Sequence, residues 1–248
     1  MHYPLFTIIT ITYNAERELP ATLESVKAQT FKDFEQLVID GKSTDNTVEI
    51  AKASGISNMT VFSEPDKGLY DAMNKGIDKA SGEYLIFLNA GDAFHSPSSL
   101  EEIATTIEKA GKPSIVYGQT QLVNAERKFV GMRHLTAPKH LTFDSFKKGM
   151  LVCHQAFIAR RDIAGPYDTQ YRFSADYEWC LRCLRKMKSS AYTGTTLIDY
   201  LTDGLTDKNH KASLKERYHI MCEYYGTLPT VIRHIWFFVR NLWRKLKG

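Results

Sequence analysis

Three points in the sequence place an acidic or amide side chain directly behind a run of apolar, β-branched residues. They are Asn14 after Leu5–Ile11, Asp40 after Glu35–Ile39, and the Asn89-Ala90-Gly91-Asp92 turn after Tyr84–Leu88. An ionised carboxylate is acceptor-only and receives N–H donors, and oxygen donors of this kind suit Mg²⁺ or Mn²⁺. Asp, Asn and Gly are also the residues that make turns, so each position taken singly is explained equally well by turn formation. Three on one sheet edge point to a ligand, because open α/β sheets bind ligands outside the carboxyl ends of their strands.

The elements that must position these residues follow from hydrophobic periodicity. Leu19, Leu23 and Val26 share one helical face, Thr47–Ala53 has helical character, and Tyr70, Met73, Ile77 and Ala80 form a third helical face that Ser81 and Gly82 end. Thr60–Ser63 is strand-like, Ser98–Ala110 is helical and Ser114–Tyr117 is a strand. This alternation predicts a three-layer α/β/α fold with a mostly parallel sheet. Beyond about Asn124 the alternation decays through Lys139–Met150, HQAFIARRDI and YRFSADYEWCLRCLRK, and no domain boundary can be read there.

The chain has 248 residues, 43% hydrophobic and 24% charged, enough for a substantial core without disulfides or a structural metal. A net charge of +4 is too mild to argue for nucleic acid. The four cysteines, Cys153, Cys180, Cys183 and Cys222, lack zinc-site spacing, and the Cys180/Cys183 pair lies in a helical context without a redox motif, so they read as reduced, buried thiols. There is no GxGxxG after the first strand and no GxxxxGK[ST] loop, which removes support for a dehydrogenase or a P-loop enzyme. MHYPLFTIITITYN lacks the basic leader, apolar run and cleavage site of a secretory signal, and no window offers a spanning helix; a cytoplasmic protein is expected.

The segments TIITITYN, VIDGKSTDNT and EPDKGLYDAMNKGIDKASGEYLIFLNAGD, in this order, resemble family 2 glycosyltransferases of the GT-A fold. HQAFIARR and SADYEW extend the resemblance more weakly toward bacterial polysaccharide-assembly members. The resemblance implies a GT-A domain over 1–215, with a nucleotide-sugar half (1–120) and an acceptor half (121–215), and a basic amphipathic helical tail over 216–248. It implies transfer of a sugar from a nucleoside-diphosphate donor, UDP being commonest in the family, to a hydroxyl of a polysaccharide or lipid-linked oligosaccharide, with inversion. The alternative is a nucleotide-sugar-binding protein that keeps the fold with a degraded metal site.

By the same resemblance, Thr12, Tyr13 and Asn14 contact the nucleotide, and Asp40 accepts a hydrogen bond from the base. Asp66 and Lys67 match the loop that touches base and ribose, although Lys67 is equally well a surface cation. Asn74 is placed with the donor contacts. Asn89, Ala90 and Gly91 line the turn that meets the diphosphate, and Asp92 is the one carboxylate left to ligate a divalent cation, Mn²⁺ or Mg²⁺, because Asn89 and Gly91 stand where acidic residues are common. Asp176 matches the catalytic base, with Glu178 as substitute; helix capping by Ser174 or Asp176 is the competing reading. His154, paired with Gln155, matches a site-lining residue that holds a phosphate or acceptor oxygen, with a purely structural role as the alternative. His210 is a further candidate for the metal or diphosphate.

Residues Thr230–Lys247 place Ile232, Ile235, Trp236, Val239, Leu242, Trp243 and Leu246 on one helical face with basic residues largely elsewhere. Such a helix suits anionic headgroups at the inner face of the cytoplasmic membrane. Packing on its own domain, or in a homodimer, is the alternative.

Overall fold

The computed structural model describes residues 3–202 and 210–236. The chain runs β1 (Phe6–Thr12), α1 (Leu19–Lys27), β2 (Phe34–Asp40), α2 (Thr47–Ala53), β3 (Met59–Ser63), α3 (Leu69–Lys79) and β4 (Tyr84–Phe87). It continues through β5 (Ala93–Phe94), α4 (Ser99–Lys109), β6 (Ile115–Val123) and β7 (Phe129–Met132) to β8 (Phe157–Arg160). Then come α5 (Ala175–Lys186), β9 (Ser190–Leu201) and α6 (His210–Tyr225), and a further helical stretch over 227–236.

One sheet runs in the order β3-β2-β1-β4-β8-β6-β9-β5, with β7 paired to β6. Strands β3, β2, β1 and β4 are mutually parallel, β6 and β9 are parallel to each other, and β8 runs antiparallel between β4 and β6. All seven residues of β1 are buried, as a strand covered on both faces requires. In register, Val38 of β2 joins Leu19, Leu23 and Ala51 beneath α1 and α2. Ile9 and Ile39 point the other way, where a Cβ on Gly76 of α3 would meet Ile9 at 2.5 Å and Ile39 at 3.5 Å. Helices therefore cover both faces of a mostly parallel mixed sheet, the three-layer architecture expected.

Two departures matter for the site. β6 continues past Tyr117 to Val123, and β9, where periodicity gives no strand, pairs with β6 and β5. The expected divisions at 120/121 and 215/216 fall inside β6 and α6, so neither separates two units of structure. Because β8 is reversed, the segment before it, the short 3₁₀ turn His154–Ala156, arrives at the same sheet edge as the carboxyl ends of β1, β2 and β4.

Candidate active site

Asp40 organises the first part of this edge. It is 1% exposed, and its Oδ1 accepts from Thr12 Oγ1 at 3.1 Å and from Ser43 Oγ, while Oδ2 accepts from Ser43 N at 2.9 Å and Ser63 Oγ at 2.7 Å. Burial alone would raise its carboxyl pKa; the hydrogen bonds from Ser43, Ser63 and Thr12 outweigh burial and hold it below the ordinary value. All four lone-pair sites are filled. Asp40 ties the ends of three strands together, and Thr12 spends its hydroxyl on the same carboxylate. Asn14 likewise braces a loop, with its N donating to Ser43 Oγ at 2.8 Å and its Oδ1 accepting from Thr44 N at 2.9 Å.

What this scaffold leaves open is a small rim. Tyr13 is 66% exposed, and a Cβ on Gly41 would lie 2.5 Å from Asp66 Oδ2 and 3.3 Å from the Tyr13 ring. Only a residue without a side chain lets these two groups converge. Asp66 Oδ1 accepts from Gly68 N at 2.8 Å, and Lys67 N donates to Asp71 Oδ2 at 3.0 Å, which shapes the loop into α3. Lys67, Gly68 and Tyr70 line a cleft of about 860 Å³ with Gln170, Tyr171 and Arg172.

The Asn89–Asp92 turn is held from four sides. Thr22 Oγ1 accepts from Gly91 N at 2.9 Å and donates to Asp92 O at 2.7 Å. Arg127 Nη1 donates to Gly91 O at 2.5 Å. Asp92 is 5% exposed; its Oδ2 accepts from Gln155 Nε2 at 2.7 Å and its Oδ1 from Leu201 N at 3.1 Å. Burial pushes the Asp92 carboxyl up to about 7, against the Leu201 and Gln155 hydrogen bonds and the Arg127 charge, which pull it down. Ala90 packs on the Leu19 and Leu23 cluster and presents no polar side-chain atom.

Among the described residues no group of three or more His, Cys, Asp or Glu is gathered for a metal. The turn still fits one in a reduced form. Asn89 Oδ1 is buried without a hydrogen-bond partner, and Asp92 keeps lone pairs beyond the two it uses. Two such oxygen donors suit Mg²⁺ or Mn²⁺ when a ligand's own phosphates and water complete the shell.

Asp176 lies in the first turn of α5, where Oδ1 accepts from Tyr177 N at 2.8 Å and from Tyr70 of α3 at 3.2 Å. Ser174 Oγ faces Ser213 at 2.9 Å and makes no cap hydrogen bond. The Tyr70 ring stacks on Tyr167 at 5.6 Å, and the Tyr167 hydroxyl meets His154 Nε2 at 2.6 Å. From His154 the chain steps to Gln155 and so to Asp92. The two carboxylates thus belong to one continuous network.

The profile of Glycosyl transferase family 2 matches residues 7–165. A "PGL/p-HBAD biosynthesis glycosyltransferase" of Mycobacterium bovis BCG is 35% identical over 189 residues, covering 74% of this chain and 71% of that one. The chain is a family 2 glycosyltransferase. The amylovoran biosynthesis glycosyltransferase AmsB of Erwinia amylovora is 26% identical over 190 residues, 71% of this transferase and 63% of the relative. The crystal structure of S. aureus TarS 1-349 in complex with UDP-GlcNAc superposes with a TM-score of 0.70 at 19% identity, over 87% of this chain and 64% of that one, a likeness of fold.

Three further residues named for the site of this glycosyltransferase have structural partners of their own. His154 is 4% exposed among Phe87, Tyr167 and Trp179, burial lowers its pKa to about 4, and its Nε2 meets the Tyr167 hydroxyl. Asn74 spends both ends of its amide on the Tyr167 backbone, donating to O at 3.0 Å and accepting from N at 2.6 Å, so it clamps the segment before α5 instead of meeting a donor. Glu178 is 5% exposed, paired with Arg182 at 3.0 Å and bonded by Tyr224 of α6, which removes it as a substitute base. The side chain of His210 lies outside the described residues. Tyr70, Thr22 and Arg127 escaped sequence reasoning: a tyrosine on an apolar helical face reads as core, and the other two act through backbone contacts that leave no motif.

Proposed function

We propose that the transferase moves a sugar from a nucleoside-diphosphate donor, UDP in the first instance, to a hydroxyl of a polysaccharide or lipid-linked oligosaccharide, with inversion at the anomeric carbon. The observation that carries this reading is the Tyr70 bond to Asp176: it joins the candidate base to the helix whose leading loop, Asp66–Gly68, forms the rim with Tyr13 and Gly41. The exposed Tyr13 ring and the Asp66 loop receive the nucleotide. Asn89 and Asp92 of the Asn89–Asp92 turn would hold Mn²⁺ or Mg²⁺, which would supply Lewis-acid stabilisation of the departing diphosphate.

Asp176 takes the proton of the acceptor hydroxyl as its oxygen forms a bond to the anomeric carbon. The bond from that carbon to the phosphate oxygen breaks, and the nucleoside diphosphate leaves with the electron pair. A positioned carboxylate contributes about 100-fold to 10,000-fold to such a step. The UDP-GlcNAc complex of the TarS neighbour and the amylovoran biosynthesis named for AmsB support the choice of donor class and acceptor.

Thermal-shift screening of UDP-, GDP- and dTDP-sugars with and without Mn²⁺ selects the donor, since a ligand of the native state raises Tm. Asp176→Asn is then expected to abolish its turnover while leaving its binding intact. Undiminished turnover in that variant removes Asp176 from the role. Binding without turnover by the unmodified protein favours a non-catalytic nucleotide-sugar-binding protein.

A further inference from the structure

We propose that the Tyr70 hydroxyl is a positioning group for the base, holding Asp176 Oδ1 so that Oδ2 is the atom that receives the acceptor's proton. This rests on the reading of Asp176 as base. Two donors converge on Oδ1, Tyr70 at 3.2 Å and Tyr177 N at 2.8 Å, and no donor among the described residues is directed at Oδ2. The oxygen that keeps its lone pairs is the more basic one, and its direction is set by the two bonds on the other.

Tyr70 is itself built in. It is 8% exposed and stacked on Tyr167, and Asn74, one helical turn further along the same face of α3, clamps the Tyr167 backbone from both sides. Tyr167 is fixed at its other end by His154. Tyr70 and Asn74 thus make α3 a rigid strut between the Asp66–Gly68 loop at its amino end and the first turn of α5. Displacing the loop would displace the base, so donor site and base are held in one frame.

The groups around the carboxylate are few. They are Tyr70 from α3, Tyr167 and the neutral His154 from the segments beside it, Tyr177, Glu178 and Cys180 from α5, and Arg217 from α6, whose charge reaches Tyr70 and Tyr177.

The test is the pH profile of Tyr70→Phe in hydrolysis of the donor selected by thermal shift, water serving as acceptor. The ring and its stacking remain, so Tm should stay close to that of the unmodified enzyme. We expect kcat to fall about tenfold, KM for the donor to stay within about twofold, and the acid limb of the kcat profile to move. A profile superimposable on that of the unmodified enzyme overturns the proposal, as does a loss of rate that comes with a lowered Tm and an unmoved acid limb. Asp176→Asn run in parallel separates the two claims: its inactivity beside an unmoved Tyr70→Phe profile sinks only the positioning role, and its activity sinks both.

Discussion

His154 is a buried imidazole whose protonation the fold decides. Its pKa stands at about 4 in the folded protein because burial disfavours the cation, against about 6.5 for an unfolded chain. Between these values the unfolded chain binds a proton that the folded one refuses. The contribution is fully present above pH 6.5 and is lost as the pH falls toward 4, on the order of 3 kcal/mol over the whole window. We predict that His154→Asn flattens the dependence of unfolding free energy on pH between 6.5 and 4, measured by urea denaturation at several pH values. Parallel curves for the two proteins would show that the ring titrates as if solvated.

At the scale of elements, the Asn89–Asp92 turn depends on Gly91 more than on its charges. Gly91 has φ +98, and a Cβ there would lie 2.8 Å from Leu201 Cδ2 at the end of β9. Gly91→Ala therefore meets both backbone strain and a steric neighbour, and should cost about 2 kcal/mol of stability. Because the same move disturbs Arg127 and Thr22 on either side, turnover should fall more than tenfold, as a displaced positioning element implies. Full stability and rate in this variant would show that the turn has slack.

The same turn marks where sequence reading ends. β1 to β4 and their helices were legible because strands covered on both faces are continuous apolar runs and each helix buries a regular stripe. β9 was not, because SAYTGTTLIDYL mixes polar residues and a left-handed Gly194 into a strand whose exposure changes along its length. The site residues divided similarly. The resemblance named Asp40, Asp66, Asn74, Asp92, His154 and Asp176 alike. It does not say which are occupied by their neighbours: Asp40, Asn74 and His154 are polar residues at the right edge whose hydrogen-bonding capacity the protein itself consumes.

Among the described residues of the whole molecule, no helix is long and apolar enough to cross a membrane. The stretch 227–236 leaves Ile232 and Ile235 each 58% exposed and Leu228 71% exposed, so this face is not buried against the transferase's own body. Residues 237–248, which carry most of the expected amphipathic tail, lie outside the described residues. An interfacial role predicts that the full chain co-sediments with vesicles containing anionic lipid, and that Ile232→Asp with Ile235→Asp weakens this at least tenfold without lowering turnover of the donor. Equal sedimentation of both proteins would leave these residues without a part in membrane attachment.

The reversal of β8 divides the molecule's tolerance for change. The turn directly before this strand, His154–Ala156, arrives at the edge that carries the candidate site. The residues at and directly after its end, Arg160 to Asp162, emerge at the opposite edge of the sheet beside Glu83, where a shallow hollow of about 380 Å³ is bordered by a surface ion pair. A label or tether attached near Asp162 is separated from Gln155 and Asp92 by the length of β8. That opposite edge is a handle for immobilisation away from the Asn89–Asp92 turn.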